Sequence, residues 1–169
     1  MGTGPGELPQ VRLGVPDDAA RLTDLHLDVW DEAYAGLLPA EVLAARRAER
    51  AQRTDRWRTA LAVGATWVAD DGDRLVGFTT AGPSRAADAP IPFELWALYV
   101  RRAAYGTGLG QRLFDVSVGD RAAYLWVLRG NDRAIAFYRR QGFIVDGAQK
   151  PQYDTVDLRM VRDQASGRA

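Results

Sequence analysis

Apolar residues recur along the chain with two different periods, and the stretches that show each period alternate. Residues three or four apart share one face of a helix, whereas alternate residues share one face of a strand. A stretch near the C-terminus, with Val156, Leu158 and Met160, has the strand period. The stretch Ala19–Tyr34 has the helical period, with an apolar stripe made of Leu22, Leu25, Val29, Trp30 and Ala33. The pattern therefore predicts a chain that mixes helices and strands.

Turn residues between the periodic stretches divide the chain into short elements. Their order, β-α-α-β-β-β-α-β-α-β-β with a third helical piece before the second strand, predicts an α/β fold with a mixed sheet. The predicted elements are strand Val11–Val15, helices Ala19–Tyr34, Pro39–Arg50 and Arg53–Val63, strands Thr66–Ala69, Leu75–Ala81 and Phe93–Val100, a helix from Gly108 to about Asp120, strand Tyr124–Leu128, helix Asn131–Gln141, and strands Ile144–Ala148 and Tyr153–Val161.

The length of 169 residues suits one domain with a full hydrophobic core. We expect that domain to cover residues 10–162, since no linker interrupts the predicted elements. Residues 1–9 carry several glycines and prolines and are expected to form a disordered leader. Residues 163–169 are expected to form a flexible tail.

Charge and composition exclude several classes of protein. The 22 basic and 22 acidic side chains cancel, so we expect no nucleic-acid partner. No apolar run has the length of a membrane span and no signal-peptide pattern follows Met1, which favours a cytoplasmic protein without a membrane partner. The chain has no cysteine and one histidine, so we expect no metal site, disulfide or cysteine nucleophile.

The most informative motif is a glycine loop between a buried strand and a helix. Strand Phe93–Val100 is followed by Tyr105-Gly-Thr-Gly-Leu-Gly110 and then by Gln111. Bare backbone N–H groups at a helix entrance, with the positive end of the helix dipole behind them, suit a phosphate or pyrophosphate. The spacing fits neither a dinucleotide fingerprint nor a P-loop. A glycine-rich turn without a ligand is the alternative.

A second motif lies downstream. Strand Tyr124–Leu128 is followed by Asn131, an Ala-x-x-Phe-Tyr segment that ends at Tyr138, and a Gly142-Phe143 exit. In this order, the two motifs resemble those of the GCN5-related N-acetyltransferase (GNAT) superfamily. The resemblance covers about residues 11–161, and its recognisable motifs lie between Glu94 and Phe143.

The resemblance implies a fold and an activity. The fold is a central mixed, mostly antiparallel β-sheet of about seven strands flanked by helices, with a splayed central strand pair that forms the coenzyme A cleft. The activity is transfer of an acetyl group from acetyl-CoA to a primary amine by direct nucleophilic attack. A homodimer would be in keeping with the superfamily, although the sequence assigns no interface. The acceptor, a small molecule or a peptide, is left open.

The resemblance also implies which residues bind the cosubstrate. The pyrophosphate would lie on the glycine loop, where Tyr105 stands in a position that relatives usually give to Gln or Arg. Arg101, Arg102 or Arg112 could supply the missing positive charge. The complete predicted set is Leu98, Tyr99, Val100, Tyr105, Gly106, Thr107, Gly108, Leu109, Gly110, Gln111, Asn131 and Tyr138.

Two side chains are the candidates for chemistry. By resemblance, Tyr138 is the general acid that protonates the leaving thiolate, and the backbone N–H at Leu98 could steady the oxyanion. Glu94 matches the position of the general base in several relatives, although its distance along the strand would require a water relay. The predicted acceptor pocket consists of Trp30, Tyr34, Glu94 and Trp96.

Each of these residues also has a purely structural interpretation. Trp30 and Leu98 could be core residues, Asn131 a helix cap, and Tyr138 half-buried packing. His26 is expected to be structural. At the level of the whole chain, the alternatives are a non-catalytic acyl-CoA-binding or regulatory domain of the same fold, and an unrelated nucleotide-binding α/β domain.

Overall fold

The computed structural model describes residues 8–163 of the chain. The predicted leader and tail lie outside these residues, except for Leu8, Pro9 and Asp163. The predicted extent of the domain, residues 10–162, stays a prediction.

Seven strands and five α-helices alternate along the described residues. The strands are β1 (Gln10–Leu13), β2 (Thr66–Asp70), β3 (Leu75–Pro83), β4 (Phe93–Val100), β5 (Ala123–Leu128), β6 (Ile144–Gln152) and β7 (Thr155–Arg162). The helices are α1 (Ala19–Tyr34), α2 (Ala40–Ala48), α3 (Arg50–Leu61), α4 (Leu109–Ser117) and α5 (Asp132–Arg140). Two single-turn 3₁₀ helices, Pro16–Asp18 and Arg102–Ala104, precede α1 and the glycine loop.

All seven strands join one sheet in the order β1-β2-β3-β4-β5-β7-β6. The pairs β1–β2, β2–β3, β5–β7 and β6–β7 are antiparallel, whereas β4 and β5 are parallel. The β4–β5 ladder pairs Glu94 with Tyr124 and Leu95 with Leu125, while β4 continues to Val100. The predicted fold class is confirmed, and this short ladder is what a splayed strand pair requires.

Several predicted boundaries are wrong for local reasons. The predicted helix Pro39–Arg50 ends at Ala48, because the chain turns at Glu49 and α3 begins one residue later. The predicted strand Tyr153–Val161 begins too early, since Tyr153 has a φ of 53° and forms the turn between β6 and β7. The helix predicted from Gly108 to about Asp120 runs from Leu109 to Ser117, with Phe114 buried and Val116 39% exposed.

The described chain divides into two compact units. The first comprises residues up to Thr80 together with Ala97–Ser117, and the second comprises Ala81–Trp96 together with residues from Val118 onward. The core of the first unit is formed by α1 and α3 against the sheet. Its buried members include Leu22, Leu25, Val29, Leu61, Val68 and Phe78, with Leu109 and Leu113 of α4 in a neighbouring cluster.

A partly buried ion network ties the start of the first unit together. Asp70 at the end of β2 accepts hydrogen bonds from Arg12 at 2.7 Å and from both terminal nitrogens of Arg21 at 2.9 and 2.7 Å. Arg12 also contacts both carboxylate oxygens of Asp18, at 2.7 and 2.9 Å. The network therefore joins β1, the first turn before α1, α1 itself and β2.

Helix α2 is attached to the first unit in a different way. None of its nine residues, all of them described, is buried. Its Arg47 instead contacts Asp28 and Asp31 of α1, at 2.9 and 2.6 Å, and these three side chains are about one-third to one-half exposed. Arg46 of α2 also stacks on Trp30 of α1, so α2 is held by surface charge and by this partly buried contact rather than by fully buried side chains.

The second unit has its own buried side chains. Leu95 of β4, Tyr124 and Leu125 of β5, Phe143 and Met160 are each at most 3% exposed. Across the described residues, no helix is both long and apolar enough to cross a membrane.

Candidate functional site

The glycine loop takes a conformation that depends on glycine. Gly106 and Gly108 have φ values of +77° and +83°, which are unfavourable for residues that carry a Cβ atom. A Cβ atom at either position would meet nothing within 4 Å, so the space beside both α-carbons is open. Helix α4 starts immediately afterwards at Leu109. Its first N–H groups have no acceptor within the helix, which makes this end suitable for an anion.

The arginines nearest in sequence to this loop have other contacts. Arg101 donates from Nε to the Leu75 carbonyl at 3.1 Å and from Nη1 to Asp28 at 2.8 Å. Arg102 donates from Nη2 to the Glu32 carbonyl at 2.6 Å. Arg112 donates to the Pro9 carbonyl at 3.1 Å, with no acidic partner among residues 8–163. Of the three, Arg101 is paired with a carboxylate, whereas the Arg102 and Arg112 guanidinium groups donate to main-chain carbonyls among residues 8–163.

The second half of β4 is unusually open for a middle strand. Leu95 is buried, but all five residues from Trp96 to Val100 are only half-buried. In the first unit, Leu98 and Val100 pack at the edge of the cluster around Leu109, and Tyr99 packs against the α1 cluster. Leu98 therefore packs against the core while staying partly exposed, and its predicted main-chain role stays a prediction.

Helix α5 carries the two polar residues of the second motif. The Asn131 side chain accepts a hydrogen bond from the Ala134 N–H at 3.3 Å, so it caps the helix. Tyr138 lies in the last turn and is buried, with its ring edge-on to Phe137 and Phe143. Asn131 therefore has the capping role of its structural interpretation, whereas Tyr138 is more deeply buried than the half-buried packing expected for it.

Glu94 is the most tightly held polar side chain of the second unit. Its Oε2 accepts from the Tyr124 hydroxyl at 3.0 Å and from the main-chain N–H of Arg85 at 3.1 Å. Its Oε1 accepts from Nη2 of Arg85 at 3.1 Å. The Tyr124 hydroxyl also shares a hydrogen bond of 2.7 Å with Ser84. Together these contacts fix the loop that leaves β3 against β4.

These partners set the charge of Glu94. Burial alone disfavours its ionised form, but the guanidinium and N–H of Arg85 and the Tyr124 hydroxyl outweigh burial, and the pKa of Glu94 is lowered. Burial and the adjacent Glu94 raise the pKa of Tyr124, which therefore stays protonated and donates. A carboxylate held in this way is a weak proton acceptor, so the prediction that Glu94 is the general base gains no support here.

The remaining predicted acceptor residues lie among aromatic rings. In the first unit, Trp30 packs edge-on against Tyr34 with centroids 4.6 Å apart, and the Tyr34 hydroxyl contacts that of Tyr99 at 2.8 Å. The guanidinium of Arg46 lies 3.4 Å above the Trp30 ring. In the second unit, Trp96 lies beneath Arg85, with 5.3 Å between the guanidinium carbon and the ring centroid.

His26 belongs to the same aromatic cluster as Trp30. Its ring packs against those of Trp30, Trp57, Phe78 and Tyr99 at centroid distances of 5.2–6.3 Å. Burial, reinforced by the nearby cations Arg46 and Arg53, lowers the pKa of His26 to about 3. A ring that stays neutral at physiological pH agrees with the structural role expected from the sequence.

Ser84, Arg85 and Tyr124 are site residues that the sequence did not suggest. Ser84 and Arg85 belong to the loop after β3, whose conformation has no periodic signal. Tyr124 begins a strand that pairs in parallel with β4 directly at Glu94. Aligning the starts of these two strands could have placed Tyr124 beside Glu94.

The sheet order, the glycine loop before α4 and the capped helix α5 define an acetyltransferase of the GNAT class. The family model described as an acetyltransferase (GNAT) domain matches residues 62–145. The chain belongs to the GNAT superfamily.

Relatives and solved structures agree with this assignment. The chain is 26% identical over 143 residues to a probable N-acetyltransferase of Mycobacterium tuberculosis, which covers 82% of this chain and 81% of the relative. It is 24% identical over 135 residues to an uncharacterised N-acetyltransferase of Bacillus subtilis, covering 76% of each chain. The fold is similar to that of the PaiA N-acetyltransferase of Thermoplasma acidophilum in complex with coenzyme A, with a TM-score of 0.71, 18% identity, and coverage of 90% of this chain and 98% of that one.

Proposed function

We propose that this protein transfers an acetyl group from acetyl-CoA to a primary amine of a small molecule or peptide. The observation that carries the proposal is the glycine loop directly before α4, where Gly106 and Gly108 have positive φ values and open space beside their α-carbons. Membership of the acetyltransferase family and the coenzyme A complex of the Thermoplasma protein support the same ligand. The cytoplasmic location and the homodimer stay predictions.

The residues of the loop suit the pyrophosphate of coenzyme A. Backbone N–H groups of the loop from Tyr105 to Gln111 would hold the phosphate oxygens, and α4 adds the positive end of its dipole. Arg112 is placed in α4 without an acidic partner among residues 8–163, and it would supply a side-chain charge. By resemblance to the superfamily, the half-buried main chain from Leu98 to Val100 would hydrogen-bond the pantetheine arm. By the same resemblance, Asn131 is a candidate contact for coenzyme A.

The chemistry needs few side chains. The nitrogen lone pair of the acceptor forms a bond to the thioester carbon, and the backbone N–H of Leu98 stabilises the negative charge on the carbonyl oxygen. The carbon–sulfur bond then breaks, and the Tyr138 hydroxyl gives its proton to the sulfur. The proton that the amine loses must leave as well, and Glu94 would accept it only through a water molecule.

The test is thiol release from acetyl-CoA in the presence of a panel of amines. We expect Tyr138→Phe to lower kcat by about 100-fold, because general acid catalysis contributes factors of that order. Coenzyme A affinity, measured by titration calorimetry, should be retained. The matched control is Tyr153→Phe, at an exposed tyrosine in the turn between β6 and β7, which should leave kcat unchanged. Full turnover by Tyr138→Phe on the best acceptor would contradict the proposed role.

A second candidate is a non-catalytic acyl-CoA-binding or regulatory domain. One observation favours it, since the Glu94 carboxylate is already engaged by donors from Arg85 and Tyr124. Tight binding of acetyl-CoA without thiol release on any amine would support the binding domain. Thermal stabilisation by ATP or NAD without stabilisation by coenzyme A would instead support an unrelated nucleotide-binding domain.

A further inference from the structure

The two oxygens of Glu94 differ in how they are held. Oε2 accepts from the hydroxyl of buried Tyr124 at 3.0 Å and from the main-chain N–H of Arg85 at 3.1 Å, and it has a longer contact of 3.5 Å with Nε of the Arg85 side chain. Within residues 8–163, Oε1 accepts from one group, Nη2 of the Arg85 side chain at 3.1 Å. The Arg85 side chain is 63% exposed and that of Glu94 is 5% exposed. A buried carboxylate thus has one oxygen whose partner can be exchanged.

Trp96 forms a second wall next to that oxygen. Its ring lies 5.3 Å from the guanidinium carbon of Arg85, within the distance at which an aromatic face attracts a cation. The indole edge is fixed, because the α-carbon of Gly82 packs so closely that a Cβ there would lie 2.5 Å from the ring. The Arg85 guanidinium therefore occupies a rigid place between a carboxylate and an aromatic face.

We propose that Glu94 and Trp96 form a subsite for an organic cation, that Arg85 fills it in the free protein, and that a second cationic group of the acceptor replaces the Arg85 guanidinium there. This inference rests on the proposed acetyltransferase function for the identity of the ligand as an acceptor. The subsite selects acceptors that carry an ammonium or guanidinium group in addition to the amine that is acetylated.

The contacts explain why the arginine can leave while the subsite remains. An ion pair with an exposed arginine contributes little free energy, since water competes for the guanidinium. When the side chain turns outward, the main-chain N–H of Arg85 and the Tyr124 hydroxyl still hold Oε2. Ser84, bonded to Tyr124 at 2.7 Å, keeps the start of the loop in place. Oε1 then has no hydrogen-bond donor. Because an unpaired buried carboxylate oxygen is costly, binding of another cation at Oε1 is favourable.

The direct test uses a probe with the shape of the arginine head group. In Arg85→Ala, methylguanidinium should enter the subsite and shift the Trp96 indole N–H resonance in a two-dimensional NMR spectrum. That resonance is identified among the five tryptophans by its loss in Trp96→Phe. The neutral isostere methylurea should bind at least about tenfold more weakly, because hydrogen bonds to a charged group are about twice as strong as neutral ones.

Matched variants separate the subsite from a general charge effect. Arg58→Ala removes an arginine that is paired with exposed Asp55, so methylguanidinium should not shift Trp96 in this variant. Adding Glu94→Gln to Arg85→Ala keeps an acceptor for the Tyr124 hydroxyl but removes the charge, and the Trp96 shift should disappear. A folded Arg85→Ala protein whose Trp96 resonance ignores methylguanidinium, or responds equally to methylurea, would overturn the proposal.

A kinetic experiment then connects the subsite to acceptor choice. With diamine acceptors, Arg85→Ala should lower KM several-fold because the competing guanidinium is gone, while KM for monoamines of equal length stays the same. An equal change for both acceptors would overturn the link to acceptor choice. Since the NMR titration needs no turnover, an inactive protein that binds methylguanidinium would refute the acetyltransferase proposal and leave the subsite standing.

Discussion

The pH dependence of stability offers a sharp test, because the chain has one histidine and that residue is packed among aromatic rings. In the folded protein the pKa of His26 is lowered to about 3, mainly by burial. In the unfolded chain it returns to about 6.5. Between these values the unfolded state binds a proton that the folded state does not bind. Stability is therefore complete above pH 6.5 and falls as the pH falls.

The size of the effect follows from the two pKa values. One pKa unit corresponds to about 1.4 kcal/mol, so the free energy of unfolding should fall by about 2 kcal/mol between pH 7.5 and pH 5.0. The figure changes little if the folded pKa is one unit higher, because at pH 5.0 the folded His26 would still be almost entirely neutral. For a domain of this size, about 2 kcal/mol is a large part of the total stability.

Urea denaturation followed by tryptophan fluorescence at the two pH values measures this difference. In His26→Phe the ring remains aromatic but cannot bind a proton, so its loss of stability should be smaller by about 2 kcal/mol. Burial raises the pKa of Asp157, so the contribution of Asp157 to stability increases as the pH falls, opposite to that of His26. This contribution is the same in wild type and His26→Phe and therefore cancels in the comparison. Equal losses in wild type and His26→Phe would refute the assignment of the effect to His26.

Three substitutions test other features. Gly108→Ala adds a Cβ atom to a residue whose φ is +83°, and this atom would enter the space that we assign to phosphate. Backbone strain of this kind costs about 1–2 kcal/mol, so coenzyme A affinity measured by calorimetry should fall by about tenfold. Gly147→Ala, with a φ of +93° and the same open space, is the control, and an equal loss of affinity there would contradict a binding role for the loop. Asp70→Asn removes the carboxylate that Arg12 and Arg21 share, leaving them only Asp18, and should lower the free energy of unfolding by about 1–3 kcal/mol at pH 7. Asp55→Asn, at an exposed pair, should change it by less than about 0.5 kcal/mol. Because hydrogen bonds from Arg21 lower the pKa of Asp70, the difference between wild type and Asp70→Asn should shrink as the pH falls below about 4, and a constant difference would argue against the ion network. Gly82→Ala places a Cβ 2.5 Å from the Trp96 ring and should lower the melting temperature by an amount that corresponds to about 1–3 kcal/mol, with partial recovery in the double variant that adds Trp96→Leu.

The parts of the fold that could be predicted are those with a strong local signal. Strand β4 has the predicted bounds Phe93–Val100, and α1 has the predicted bounds Ala19–Tyr34, since each carries a clear pattern of apolar residues. The break between α2 and α3 was predicted at residues 51–52 and lies at Glu49, because neither glycine nor proline marks Glu49. Local sequence contains no other sign of a one-residue turn between two good helix-forming stretches.

The candidate site shows the same division between local and non-local information. The glycine loop was visible because its residues are adjacent in the chain and their conformation requires glycine. The surroundings of Glu94 were not visible, because its partners come from the loop after β3 and from β5, which is 30 residues away at Tyr124. A conformation that depends on such distant contacts leaves no periodic trace in the sequence.

The surface attachment of α2 has a consequence for how this protein responds to its solvent. Ions screen charges over about 10 Å at 0.1 M salt but over about 3 Å at 1 M, so added salt weakens the contacts of Arg47 with Asp28 and Asp31. Buried apolar contacts, such as those of Leu22 and Leu25 in α1, are not screened. Salt should therefore reduce the opening free energy of α2 selectively, and its amide hydrogens should exchange faster while those of α1 stay protected. Ionic strength would then act on this protein as a local control of mobility at one helix.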